Sequence, residues 1–281
     1  LSLLLMLTIG LKGGMALYGN LGWSLVPELA AVAALGAVIP LALMPILRRL
    51  IRLSPADSAS LAAHYGSVSA GTFAVALAFA EGRHLPIGAE VTLYLVMMEL
   101  PAIMVAIALY RRYRGSDSGE ALQGIWHETL TNRGVILLAG GAVIGAMYGP
   151  MEGAKVTELF TGAFHAVLAL FLLQMGLTAA ETLRPIPWFH WRLLAFALIA
   201  PPLLSLAGLA VGLALGLPAG SLLILTALAA SASYIAAPAA MRTAIPEANI
   251  GLAMLAALGF TFPLNVIVGI PLYHQLALWL G

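Results

Sequence analysis

Two runs of small and hydroxyl-bearing residues lie inside apolar stretches and are the parts of this sequence best suited to bind an anion. Their polar members and glycine are Ser67, Ser69, Gly71 and Thr72 in the first run and Ser231 and Ser233 in the second. The second run follows the first after 164 residues (231 − 67). Hydroxyls and the backbone amides at an interrupted helix can hold an anion without an arginine. We therefore predict that these six residues contact a small anionic substrate.

A helix breaker follows the second run. Pro238 has no backbone donor and strains the preceding turn, so we expect the membrane helix to break there. Two helix N-termini about 4 Å from an anion contribute about 4 kcal/mol at an effective dielectric near 20, before desolvation. Small residues that only permit close helix packing are the alternative. We assign that packing role to Gly13-Gly14 and Gly140-Gly141.

Glu99 is the acidic residue that lies deepest in an apolar stretch. A carboxylate there is costly unless it is compensated, so it either binds a cation or a proton or forms a structural pair. Together with freed carbonyls, the side chains of Glu99, Thr72, Ser231 and Thr261 offer the hard oxygen ligands that sodium prefers. We predict that these residues lie at or near cation sites.

The composition identifies a membrane protein. Hydrophobic residues make up 62% of the chain, charged residues 9%, and the mean hydropathy is +1.00. These values indicate a polytopic membrane protein in contact with the lipid bilayer, and a net charge of +1 argues against nucleic acid as a partner. Without cysteine, disulfides and thiolate chemistry are excluded. No metal-ligand, hydrolase or nucleotide-binding motif is present, so we expect no enzyme, no cofactor and no transition-metal site.

Nine stretches approach the roughly 20 apolar residues that a membrane span needs. They are residues 1–19, 24–47, 60–80, 89–110, 134–148, 159–180, 193–217, 221–241 and 250–280. We predict an all-α polytopic membrane protein in which 134–148 is short for a full crossing. Pro263 and Pro271 are expected to kink the last span.

The distribution of arginine sets the orientation. If the second span ends in the cytoplasm, ten arginines lie on the cytoplasmic face. They are Arg48, Arg49, Arg52, Arg111, Arg112, Arg114, Arg133, Arg184, Arg192 and Arg242. The polar segment 111–133 is then a cytoplasmic linker between residues 1–110 and 134–281.

Weak similarity relates these two halves. Gly10 matches Gly176 and Pro101 matches Pro263, with offsets of 166 and 162 residues that bracket the offset of the serine runs. Residues 134–148 have no counterpart, so we expect a further helix before Leu1 in a longer chain. Two repeats of five helices must insert with opposite topology, which predicts inverted repeats whose two broken helices cross near the bilayer midplane.

Five motifs carry a resemblance to a known family through their order and spacing. They are Ile9-Gly10-Leu11-x-Gly13-Gly14-Met15-Ala16, Gly66-Ser67-Val68-Ser69-x-x-Thr72, Glu99-Leu100-Pro101-Ala102, Ala230-Ser231-x-Ser233 and Arg242-x-Ala244-Ile245-Pro246-x-Ala248-Asn249. In these motifs the chain resembles the sodium-dependent bicarbonate transporters of cyanobacteria and other bacteria.

The resemblance implies ten spans, of which nine are present here, and a homotrimer in the bacterial inner membrane. It implies elevator-type movement of a core domain against a gate domain, the latter formed by residues 1–19 and 134–180. Bicarbonate would be held between the broken helices with sodium adjacent. A PII-like regulator binds the cytoplasmic side of cyanobacterial members, and whether this chain binds one is left open.

The sequence departs from the family pattern at several positions. Tyr234 replaces an aspartate, Ala236 and Ala237 replace serine and glycine, and Lys12 replaces a threonine, whereas Glu99 matches a family aspartate. We place Tyr234 at or near the cation sites on this basis. One hypothesis is that Lys12 supplies the positive charge of a sodium, so that coupling is weakened or uses protons. The alternative is that Lys12 only reaches to the membrane interface.

The sequence therefore predicts a secondary active transporter that imports bicarbonate or a similar small anion, with sodium as the co-transported ion. Another organic or inorganic anion on the same scaffold, coupled to sodium or to protons, is the first alternative. A non-transporting membrane sensor is the second. An intramembrane enzyme would need a nucleophile and a base, for which Ser231 and His165 are the available pair.

Overall fold

The computed structural model describes residues 1–20, 22–114, 133–183 and 190–280, and these residues form helices and connections without any strand. Most of the predicted linker, residues 115–132, and Arg184 lie outside the described residues. In chain order the helices are α1 (Ser2–Leu17), α2 (Leu25–Ile46), α3 (Pro55–Gly66), α4 (Ala70–Gly82), α5 (Leu93–Arg114), α6 (Arg133–Gly162), α7 (Phe164–Thr182), α8 (Trp191–Ala214), α9 (Ala219–Ala229), α10 (Ala236–Ala244) and α11 (Ile250–Leu280). A π-helical turn, Leu47–Ile51, extends α2, and a 3₁₀ turn, Ala89–Thr92, precedes α5.

Seven helical segments in the described ranges are long and apolar enough to cross a membrane. They are Leu25–Ile51, Pro55–Gly82, Ala89–Arg114, Arg133–Gly153, Phe164–Thr182, Trp191–Ala214 and Ile250–Leu280. Two further apolar helices, α1 and α9, are shorter, with 16 and 11 residues. The all-α prediction is confirmed for this part of the chain, whereas seven segments rather than nine reach the length of a span.

The helical run that begins at Arg133 is interrupted at Gly149. The backbone there is not helical (φ +66°, ψ −177°), so α6 consists of two helical segments, 133–148 and 150–162, that meet at a kink. The first segment ends where the sequence predicted the end of the short stretch 134–148. Glycine adopts this positive φ readily, and Pro150 suits the first turn of the segment that follows. Helix α7 begins at Phe164 rather than at 159.

Proline distorts α11 as predicted. Two π-helical stretches, Leu255–Thr261 and Asn265–Gly269, flank Pro263. A proline cannot donate to the carbonyl four residues earlier, and the wider π turn accommodates the missing bond. Thr261 ends the first π stretch and Asn265 begins the second, and both side chains are fully buried.

Side chains near the basic ends of the helices hold the connection between α10 and α11. Tyr110 donates a hydrogen bond to Glu247, and Arg114 forms an ion pair with the same carboxylate. The Tyr110 hydrogen bond lowers the pKa of the Glu247 carboxyl. Asp57 of α3 accepts a hydrogen bond from the Asn249 amide at 2.7 Å. This connection is thereby attached to both α3 and α5.

Glycines bring α1 and α6 into backbone contact. A Cβ atom on Gly10 would lie 2.3 Å from the carbonyl oxygen of Leu138, and one on Gly14 would lie 2.1 Å from that of Ala142. No larger residue fits at either position, so the two helix backbones approach closely. Gly10 and Gly14 thus set the distance between α1 and α6.

The packing role predicted for the glycine pairs is confirmed at three of four positions. Gly141 faces the backbone of Leu7, and Gly13 faces the Thr92 side chain. A Cβ on Gly140 would have no neighbour within 4 Å. Gly140 is exposed on the outer side of α6, so it takes no part in the contact.

Replacement of Gly14 by leucine should force α1 away from α6. We expect Gly14→Leu to lose about 1–3 kcal/mol of stability, the usual range for overpacking. Gly140→Leu is the matched control, because the same side chain at this exposed site meets no neighbour. Thermal unfolding of both purified variants in detergent tests this, and equal melting temperatures for the two variants would contradict the assignment.

Candidate functional site

The first serine run interrupts a membrane segment. Helix α3 ends at Gly66, Ser67 has an extended backbone (φ −75°, ψ 170°), and α4 starts after Ser69. The Ser69 hydroxyl accepts a hydrogen bond from the Thr72 amide at 3.0 Å, which satisfies one of the free donors at the start of α4. Serine and the β-branched Val68 favour a non-helical backbone locally. The interruption is therefore built into the sequence of the run.

The second serine run interrupts another segment. Helix α9 ends at Ala229 and α10 starts at Ala236, so the break lies before Pro238 rather than at it. Pro238 occupies the first turn of α10, where its missing N–H has no intrahelical acceptor to lose. The Ser233 hydroxyl accepts a hydrogen bond from the Ala237 amide at 3.1 Å. Both helices that leave the breaks are thus capped by a serine.

The two breaks contact each other directly. The Ser69 amide donates to the Ser231 hydroxyl at 2.9 Å, and the Ser233 amide donates to the carbonyl of His64 at 2.7 Å. A Cβ on Gly71 would lie 2.1 Å from the Tyr234 hydroxyl, so glycine is needed at that position. These contacts bring together Ser69, Ser231 and Ser233 and place Gly71 against Tyr234. Ser67 and Thr72 are buried on either side of Ser69 in the first run. We name the region of the two serine runs the crossing.

A small pocket opens beside the crossing. Its lining includes Ser69, Ser233 and Tyr234, together with Met6 of α1 and Glu99 of α5. Its volume is about 10 Å³, which is room for about one water molecule. A small polyatomic anion needs more space, so α1 or the crossing has to move before such an anion fits here.

The surroundings of the crossing favour an anion. The N-termini of α4 and α10 both start here, and each carries about half a positive charge. The hydroxyls of Ser67 and Thr72 are buried without a hydrogen-bond partner among the described residues. An unsatisfied buried donor costs about 1–3 kcal/mol, which a bound acceptor would recover.

The predicted cation residues divide into three groups. Glu99 and Tyr234 line the small pocket, and Glu99 is 6% exposed with no ion pair among the residues described. Thr72 and Ser231 belong to the crossing itself. Thr261 is engaged elsewhere: it forms a hydrogen bond with the Tyr65 hydroxyl at 2.7 Å and donates to the Ala197 carbonyl at 2.9 Å.

Asn265 stabilises the second break, a role that the sequence did not predict. Its side chain donates to the Ala230 carbonyl, exposed by the second break, at 2.7 Å, and accepts from the Tyr273 hydroxyl at 2.8 Å. Asn265 is the one asparagine inside a predicted span, because Asn20, Asn132 and Asn249 fall at span ends. Its position inside a span was the feature of the sequence that indicated a hydrogen bond to a backbone group freed by a break.

Lys12 has a partner that neither sequence interpretation anticipated. Its ammonium lies 2.7 and 3.0 Å from the two carboxylate oxygens of Glu81, at the end of α4. It also lies 4.4 Å from the centre of the Phe164 ring. The charge of Lys12 is therefore compensated by Glu81, in a pair whose side chains are 25% and 32% exposed.

The pair proposed for an intramembrane enzyme is not formed. Ser231 is fully buried, and its hydroxyl accepts from Ser69 and donates to the Leu228 carbonyl at 2.8 Å. His165 is exposed on α7, with its ring against Phe164. A serine that is enclosed by the crossing cannot be activated by an exposed histidine, so this alternative was wrong.

Comparison with known proteins agrees with the motifs. The family model described as the Na⁺-dependent bicarbonate transporter superfamily matches residues 1–278 of the chain. The match includes α1, both breaks and Glu99. No curated protein matches the chain significantly.

Ser231→Ala should destabilise the fold, because it leaves the buried Ser69 amide without an acceptor. We expect a loss of about 1–3 kcal/mol. Ser205→Ala is the matched control, since Ser205 is equally buried but donates only to the Pro202 carbonyl of its own helix. Chemical unfolding in detergent compares the two, and a loss for Ser205→Ala as large as for Ser231→Ala would contradict the role of the crossing.

Proposed function

Because the chain belongs to the Na⁺-dependent bicarbonate transporter superfamily, we propose that it is a secondary active transporter that imports bicarbonate or a similar small anion together with sodium. It is a multi-pass membrane transporter rather than an enzyme. The observation that carries the proposal is the crossing, where two broken helices exchange hydrogen bonds beside a pocket that contains Glu99.

The anion is recognised by neutral donors. The donors we propose are the buried, unpartnered hydroxyls of Ser67 and Thr72 together with the N-termini of α4 and α10. Helix ends and hydroxyls attract a monovalent oxyanion without the fixed full charge of an arginine. Binding of this moderate strength suits a carrier, which has to release its substrate on the other side of the membrane.

Glu99 provides the physical reason for coupling. An anion and an ionised Glu99 carboxylate in one small pocket repel each other, so the anion binds weakly while no cation is present. A cation that binds at Glu99 removes the repulsion and raises the affinity for the anion, and by linkage the anion raises the affinity for the cation. Sodium is the cation we propose, with Tyr234 beside Glu99 in the pocket and Thr72 and Ser231 in the adjacent crossing.

The transport cycle follows from the same arrangement. We propose nine spans in two inverted repeats, residues 1–110 and 134–281, joined by the cytoplasmic linker 111–133. In an elevator-type motion, the helices of the core would carry the crossing past a gate formed by α1, α6 and α7. Assembly as a homotrimer in a bacterial inner membrane, and binding of a PII-like regulator on the cytoplasmic side, complete the proposal.

Thr72→Val removes a hydroxyl from the crossing with almost no change in shape. We expect sodium-driven uptake of radiolabelled bicarbonate into proteoliposomes to fall about tenfold in kcat/KM, as expected when a hydrogen bond to a charged group is lost. Thr178→Val is the control, because Thr178 lies on the exposed side of α7. Full activity of Thr72→Val would show that this hydroxyl does not bind the substrate. Uptake of another anion in place of bicarbonate would favour the alternative substrate. Ligand binding without any flux would favour the sensor.

Glu99→Gln should uncouple the two ligands. Without the carboxylate, bicarbonate binding no longer needs a cation, so we expect it to become independent of sodium while sodium-driven accumulation is lost. Glu158→Gln, at an exposed position on α6, controls for a change in net charge. Binding and uptake are measured over a range of sodium concentrations and with a pH gradient. An unchanged sodium dependence in Glu99→Gln would contradict the coupling mechanism.

A further inference from the structure

A groove far from the pocket runs along the outer surface between α2 and α8. Its volume is about 630 Å³. One wall contains Ala42 and Ile46, and the other contains Ala195, Ile199 and Leu203. Both walls belong to membrane-spanning segments, and Ile199 and Leu203 are 57% and 61% exposed. The groove therefore faces the acyl chains of the bilayer and has the apolar lining of a hydrocarbon site.

A polar cavity adjoins one end of this groove. It has a volume of about 540 Å³ and shares Ile51, Trp191 and Arg192 with the groove, while Arg52 and Asp57 belong to the cavity alone. The cavity lies where α2 ends and α8 begins, on the basic face of the protein. Apolar and polar sites thus meet at the depth expected for lipid headgroups.

The cavity has an excess of positive charge. The Asp57 carboxylate is satisfied within the protein, because it accepts hydrogen bonds from the Ser54 hydroxyl and the Asn249 amide, both at 2.7 Å. Arg192 lies over the Trp191 ring, 5.4 Å from its centre, and neither Arg192 nor Arg52 forms an ion pair with any described residue. Two guanidinium groups are therefore available to an anion.

The backbone conformation at Arg52 is unusual for an arginine. Its φ of +65° is left-handed, a conformation that side chains other than glycine and asparagine rarely adopt. The Leu53 amide holds this turn by donating to the Leu47 carbonyl at 3.1 Å. The turn ends the π-helical extension of α2 and places Arg52 in the lining of the polar cavity, and strained residues of this kind are frequent at binding sites.

We propose that the groove and the cavity together bind one anionic phospholipid. An acyl chain occupies the groove, and the phosphate lies between Arg52 and Arg192. Guanidinium groups bind phosphate through paired hydrogen bonds, and a tryptophan beside them suits the membrane interface. The basic face is the one predicted to meet the cytoplasmic leaflet, where anionic lipids supply the complementary charge. A free phosphate would leave the apolar groove without a role.

Native mass spectrometry of the full chain, purified with phosphatidylglycerol or phosphatidylcholine, tests the headgroup site. We expect Arg52→Gln and Arg192→Gln each to reduce phosphatidylglycerol retention about fivefold, and the double variant about 25-fold. Phosphatidylcholine carries the same phosphate with an offsetting choline, so its retention should be weaker from the start and should fall less in the variants. Arg112→Gln is the matched control, because Arg112 is exposed on the same basic face but lies outside this cavity. An equal loss in Arg112→Gln would mean general attraction to the face and would overturn the proposal.

Ala42→Trp tests the acyl chain separately from the phosphate. The larger side chain fills the groove and leaves both arginines in place, so we expect phosphatidylglycerol retention to fall at least fivefold. Inorganic phosphate at millimolar concentration should not displace the lipid. Unchanged retention in Ala42→Trp, or displacement by inorganic phosphate, would overturn the proposal in favour of a site for the phosphate group alone. Melting temperatures of the variants confirm that each remains folded.

Discussion

The reciprocal hydrogen bonds between the two broken segments are the constraint on which the rest of the structure depends. Inside a bilayer there is no water to satisfy an interrupted helix, and each unpaired backbone group costs several kcal/mol. The Ser69 amide finds its acceptor in the Ser231 hydroxyl, and the Ser233 amide finds its acceptor in the His64 carbonyl. Asn265 satisfies the carbonyl of Ala230. Each interruption is therefore stable only because other segments complete it.

This mutual dependence has a mechanical consequence. Helices α3, α4, α9 and α10 cannot separate without exposing unpaired backbone groups, so they are held together as one unit. Helix α1, which supplies Met6 to the opposite wall of the pocket, packs instead on α6 through the contacts of Gly10 and Gly14. The boundary between these two units carries the partly exposed ion pair of Lys12 and Glu81. Exposed ion pairs contribute little stability, about 0–1 kcal/mol, so this pair adds little to the attachment of α1 to α4.

The pocket at that boundary combines opposite electrostatic features within a small volume. The N-termini of α4 and α10 are electropositive, whereas Glu99 is an acidic group in the same lining. Ser69 and Ser233 each accept a hydrogen bond from a backbone amide in the first turn of the helix that follows, so both breaks are ordered without a ligand. The pocket itself has room for about one water molecule, so a larger ligand requires a movement of α1 or of the crossing.

The sequence by itself determined the features that depend on local chemistry. Mean hydropathy and apolar stretches established an all-helical membrane protein, and the spacing of the serine runs located both interruptions, since serine caps and proline act within a few residues. The sequence placed the second break at Pro238, whereas the break falls before that residue, because a proline permits a bend without deciding where it falls.

Only the tertiary structure decided the partners of these residues. Ser69 and Ser231 are 162 positions apart, Tyr65 and Thr261 are 196 apart, and Lys12 and Glu81 are 69 apart. Such contacts follow from how the helices pack in three dimensions, and no periodicity along one chain encodes them. The position of Asn265 in a span indicated a polar role, but its bond to Ala230 exists only because α11 lies against the second break.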